Sequence, residues 1–229
     1  MGSADKERKH EMNKTKSLTI GIAAAACAVL SGCLMLLPGK TATDAEMAAD
    51  VMPTYAQLPP DPTIDPLPRE SLLGEWEGTV FSNSRCVIPR LRRIFDSPPA
   101  TGRQSYKFFK DGKYVFSATA QDGNETVSDG EWTYENGLLT ISEKKEGAKG
   151  HSIGMKVLWS APNKMELRID DLAAYENIFK EAPGLKSIST RLEHDGSLRT
   201  TMEIENNGTA SIMKMIQSPL RFTRKGDVE

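Results

Sequence analysis

Six dipeptides narrow what this chain can fold into: Asp111-Gly112, Asp122-Gly123, Asp129-Gly130, Asn136-Gly137, Asp195-Gly196 and Asn207-Gly208. Glycine takes positive φ without steric cost, and the preceding Asp or Asn can bond its own backbone. Each pair therefore predicts a tight hairpin turn. Around them apolar and polar residues alternate, as in Tyr106/Phe108 then Tyr114/Phe116, Met165/Leu167/Ile169, and Leu198/Thr200/Met202/Ile204. A period of two marks strands with one buried face. Hairpins in series imply antiparallel pairing, and a meander removes its open edges by curling closed. The expected fold is all-β, an antiparallel up-and-down barrel of about 8–10 strands. One short helix is expected near 170–181. Asp170 and Asp171 stand at its start, and Leu172, Tyr175, Ile178 and Phe179 form its apolar stripe, which should lie across the barrel or close one mouth.

Four segments follow from composition. Residues 1–16 are basic (Lys6, Arg8, Lys9, Lys14, Lys16) and read as a cytoplasmic n-region. Residues 17–37, SLTIGIAAAACAVLSGCLMLL, carry no charge and have no polar face. They are long enough to span a bilayer and read as a signal peptide or membrane anchor. Leu30-Ser31-Gly32-Cys33 looks like a lipobox, which makes Cys33 a lipidation candidate. Leu34-Met35-Leu36-Leu37 continues the apolar run, as an uncleaved anchor would. Either ending places the folded part in a bacterial cell envelope, tethered on the non-cytoplasmic side. Residues 38–69 hold Pro38, Pro53, Pro59, Pro60, Pro62, Pro66 and Pro68 and read as an extended spacer that lifts the domain off the membrane. Residues 70–229 form the barrel domain. Cys86 is alone in the exported part, so it forms no internal disulfide.

Three stretches carry a resemblance. LLGEWEG (72–78), YKFFKDGKYVF (106–116) and GEWTYENGLLTI (130–141) resemble the bacterial lipocalin-like domains of the calycin group, in which Gly-x-Trp opens the first strand. The resemblance implies that interior rings line a cavity for an apolar ligand, here Trp76, Phe108, Tyr114, Phe116, Trp132 and Trp159. The first reading of the same rings is a plain core. It also implies an arginine from the last strand covering Trp76, for which Arg221 and Arg224 are placed. Two features depart from the pattern: the helix precedes a further run of strands, about 187–224, and CVIPRLRRIF is not a clean strand.

Other chemistries are thinly supplied. Gly150-His151-Ser152-Ile153-Gly154 spells the G-x-S-x-G elbow of serine hydrolases, with Asp170 or Asp171 and His194 in the order of a triad. An elbow needs a strand before it and a helix after it; here a polar loop precedes and a strand follows. A non-catalytic protein is expected. Three histidines and no cysteine pair supply no metal site, and the glycines sit singly, so no phosphate loop and no cofactor is expected. A formal net charge of −2 removes the electrostatic case for nucleic acid. Arg85, Arg90, Arg92 and Arg93 make one basic cluster, either a solvated loop or a surface for anionic headgroups. The alternative to ligand binding is an interaction module with a solid barrel.

Overall fold

A computed structural model describes residues 39–48, 63–143, 150–180 and 182–226. The apolar run 17–37, with Cys27 and Cys33, lies outside the described residues. Among those described, no helix is long and apolar enough to cross a membrane.

The fold is all-β and antiparallel. In chain order the strands are β1 (Lys40–Thr41), β2 (Gly74–Ile88), β3 (Arg93–Asp96), β4 (Ala100–Phe108), β5 (Lys113–Thr119), β6 (Glu125–Glu135) and β7 (Leu138–Glu143), then β8 (Ser152–Ala161), β9 (Lys164–Ile169), β10 (Leu185–Leu192), β11 (Leu198–Asn206), β12 (Thr209–Gln217) and β13 (Leu220–Gly226). Helices are α1 (Asp44–Ala48) and α2 (Leu172–Phe179), with short 3-10 turns at Arg69–Leu72 and Pro89–Leu91. Strands β2, β4, β5, β6, β7, β8, β9 and β13 close an eight-stranded up-and-down barrel, β13 returning to β2 in register Phe222↔Gly78.

The departure from a plain barrel lies in β2. Its first half pairs with β4 and β13, and its second half with β3 and β12. The second half thus carries a second arm of the same sheet, in order β10-β11-β12-β2-β3-β1. Prolines mark both branch points. On one edge Pro98 and Pro99 separate β3 from β4; on the other Pro219 separates β12 from β13. Proline lacks the donor a ladder needs, so pairing must stop and can restart in a new direction. Ser218 covers the second break: its N–H donates to the Phe81 carbonyl at 2.8 Å and its Oγ accepts from Phe81 N–H at 3.0 Å. The strands expected over 187–224 are present, but only β13 enters the barrel.

Five of the six glycine dipeptides are turns, of two kinds. Asn136-Gly137 and Asn207-Gly208 have both residues at positive φ, the geometry of two-residue hairpins. Asp111, Asp122 and Asp195 instead accept from the N–H two residues on, at 3.0–3.1 Å, ahead of glycines at φ of 83–85°. Asp129-Gly130 is no turn: Gly130 lies inside β6.

The spacer expected over 38–69 is folded at both ends. β1 pairs with β3 (Lys40↔Ile94, Thr41↔Arg93), and Ala42 joins Val87 and Ile94 in a small core that also holds Met47 and Ile212. Further on, Ile64 bridges Trp159 and the 3-10 turn packs Leu72 into the barrel. These apolar residues between the prolines find surface to bury, which a count of prolines does not register. Residues 49–62 lie outside the described residues.

Helix α2 forms as its cap predicts, with Asp171 Oδ1 accepting from Ala174 N–H at 2.9 Å. It follows β9 and buries Tyr175, Ile178 and Phe179 in a core shared with Leu198, Met202, Met213 and Met215 of that second arm. Cys86 is buried on β2, and burial pushes its thiol up to about 11. A maleimide at pH 8 should leave Cys86 unmodified in the native chain and label it in guanidinium, as read by peptide mass mapping; native labelling would contradict its burial.

Candidate functional site

The barrel interior divides along its axis. At the end where β2 begins, the inward positions are aromatic. Trp76 meets Trp159 edge-on with centroids 5.7 Å apart, and Phe108 meets Trp132 at 5.2 Å. Tyr106 sits among Phe108, Phe116 and Phe222 at 4.8–5.5 Å. Each indole has an acceptor: Trp76 Nε1 donates to Leu72 O at 2.8 Å, Trp132 Nε1 to Phe109 O at 3.1 Å, and Trp159 Nε1 to Tyr134 Oη at 3.2 Å. This half is a packed plug. All six candidate rings are buried within it.

Toward the opposite mouth the inward side chains shrink. Ala100 and Gly102 precede Gln104 on β4, Ala118 ends the inward row of β5, and Thr126 starts that of β6. Val80 and Ser82 face them from β2. The missing volume leaves a cavity of about 140 Å³ at the mouth, bordered by the 120–124 turn. None of Trp76, Phe108, Tyr114, Phe116, Trp132 and Trp159 lines it.

Gln104 stands at the cavity's floor. It is 2% exposed, and neither its Nε2 nor its Oε1 finds a hydrogen-bond partner among the described residues. The buried Tyr106 hydroxyl below it is likewise without one. Burial pushes the phenol's pKa up, so Tyr106 stays a neutral donor. A buried amide without partners costs about 1–3 kcal/mol. Arg103 on the rim is held by Glu77 at 3.2 Å, and Lys225 holds the same carboxylate at 2.6 Å. Those contacts keep Glu77 below the usual carboxylate range, Lys225 being the larger cause. Sequence reasoning missed Gln104. The available signal was the size gradient along Ala100-x-Gly102-x-Gln104-x-Tyr106-x-Phe108.

The other candidates fall in different places. Arg69 places its guanidinium 4.3 Å from the Trp132 ring centroid. Arg221 donates to Glu166 at 3.0 Å on the outer face, and Arg224 stands opposite Trp76 with its guanidinium beside Gly74. Strand alternation explains Arg221, since its neighbours Leu220 and Phe222 take the inward positions. Glu166 also accepts from Arg168 at 2.6 Å, and the outer groove around this trio is an ion-pair network joining β9 to β13. Ser152 opens β8 opposite Ser142, whose Oγ is 3.1 Å away. Asp170 pairs with Lys156 at 3.0 Å, Asp171 caps α2, and His194 lies in the 193–197 turn. Among the described residues no group of three His, Cys, Asp or Glu is placed to hold a metal.

The chain is similar to several solved structures, two of which follow. One is Rv2717c from M. tuberculosis, at 14% identity over 68% of this chain and 94% of that one, with a TM-score of 0.34. The other is Ail, the attachment invasion locus protein of Yersinia pestis, at 10% identity over 66% of this chain and all of that one, with a TM-score of 0.25. No protein-family model matches the chain, and no curated protein matches it.

Proposed function

We propose that this chain is a non-catalytic, membrane-tethered binding protein of a bacterial envelope, and that it holds the end of a small apolar molecule in the barrel mouth. The observation that carries the reading is Gln104, with both amide atoms buried and unmatched at the base of a cavity walled by small side chains. One donor and one acceptor without net charge select an uncharged group that can do both, an amide or a hydroxyl. A cavity near 150 Å³ has room for a benzene-sized body, so the site grips one end of a ligand. The tether comes from the sequence: an uncharged run at 17–37 behind a basic start.

The test uses the full-length protein in detergent, by native mass spectrometry for a co-purifying small molecule and by thermal shift with hexanamide, 1-hexanol and hexane. Hexanamide should stabilise most. Gln104→Met should abolish that preference while raising the stability of the ligand-free protein by about 1–2 kcal/mol, because an unmatched amide is replaced by an apolar chain of similar length. No co-purifying mass together with equal shifts for all three probes would favour the rival reading supported by the packed lower half, an interaction module with a solid core.

A further inference from the structure

We propose that the β2–β3 hairpin is the face this protein lays on the membrane, with Leu91 among the lipid headgroups and Arg90 and Arg93 donating to anionic lipid phosphates. The inference rests on the tethered reading and adds which surface meets the bilayer.

The first support is reach. Pro38–Ala42 are the residues between the end of the apolar run and a backbone bond that ties the chain to the hairpin, from Ala42 N–H to Arg92 O at 2.9 Å. At no more than about 3.5 Å per residue, Ala42 lies within about 18 Å of Leu37. A spacer running to residue 69 would have let the domain stand far off; β1 shortens that leash to a few residues. Because Ala42, Val87 and Ile94 pack together, the hairpin cannot swing away from the point where the chain leaves the membrane.

The second support is the chemistry of the tip. Pro89–Leu91 form a 3-10 turn closed by Arg92 at φ 49°. Leu91, 58% exposed, is the most exposed large apolar side chain among the described residues. Three nearby cations are already matched: Arg92 by Asp44 at 2.7 Å, Arg85 by Asp96 at 2.5 Å and Lys40 by Glu46 at 3.1 Å. Arg90 and Arg93 have no acidic partner within 4 Å among the described residues, and Arg93 instead lies 6.0 Å from the Phe95 ring centroid. An apolar side chain between two unmatched guanidinium groups suits a headgroup layer: the leucine passes the phosphates and the arginines stay level with them.

The experiment uses full-length protein in bilayer discs doped with a nitroxide-labelled lipid. Tryptophan is introduced as Leu91→Trp or, as a control at the opposite end of the barrel, as Leu138→Trp. The emission added by Leu91→Trp should be quenched in discs containing phosphatidylglycerol, and that of Leu138→Trp should not. Arg90→Gln and Arg93→Gln should each lower the docked-to-undocked ratio about fivefold. Chain recovered in the discs with equal quenching at both positions overturns the proposal while leaving the tether intact. So does quenching at Leu91→Trp that is as strong in pure phosphatidylcholine. Chain that fails to enter the discs sinks the tether itself.

Discussion

Trp76→Ala should lower the unfolding free energy by about 4 kcal/mol, as expected for a fully buried indole cut to a methyl group. Trp76 is completely buried, packs edge-on against Trp159, and donates to the Leu72 carbonyl. Its removal opens a void next to Trp159 and leaves the 3-10 turn without the bond that seats it. For a domain of this size the melting midpoint should fall by about 8–16 °C. Trp76→Phe keeps most of the apolar contact and loses only the bond, so it should cost about 1–2 kcal/mol. Leu138→Ala, at an exposed turn position, should stay within about 0.5 kcal/mol of wild type. Differential scanning calorimetry separates the three. If Trp76→Ala melted with the Leu138 variant, the packed lower half would be refuted.

The second large effect is expected at a glycine with ordinary backbone angles. A methyl group added at Gly130 would sit 2.1 Å from the Ser142 carbonyl oxygen and 2.9 Å from the Tyr114 ring. Backbone of β7 and a buried ring cannot both give way, so Gly130→Ala should cost about 3 kcal/mol, the upper end for forced overpacking. Gly123 makes the contrast. It has φ of +83° but nothing within 4 Å of the added atom, so Gly123→Ala should cost only the strain of a left-handed alanine, about 1–2 kcal/mol. Urea melts of the two variants test the ordering, and a milder effect at Gly130 than at Gly123 would contradict the close approach of β6 to β7.

These two glycines show where reading the chain succeeds and where it stops. Asp122-Gly123 and Asp129-Gly130 are the same dipeptide, and local chemistry predicts a turn for both. The first is a turn because its aspartate closes on Asn124 N–H. The second runs straight through β6, because the barrel needs a residue without a side chain where a neighbouring carbonyl comes close. Helix α2 was legible from its capping aspartate and apolar stripe, and the indoles from their place on alternating strands. Gln104 was not, because a lone glutamine on a strand looks like any surface amide until its neighbours show which way it points.

Turn residues and alternation act over a few positions, so the chain by itself determined the antiparallel strands, the helix and the aromatic core. Distant segments competing for β2 decided the rest. That strand's fifteen residues serve two arms of one sheet, and prolines near residues 98 and 219 redirect the partners. Residues after the apolar run pair with β3 because Ala42 finds Val87 and Ile94 to pack on, a contact between parts of the chain about fifty residues apart that no local pattern records.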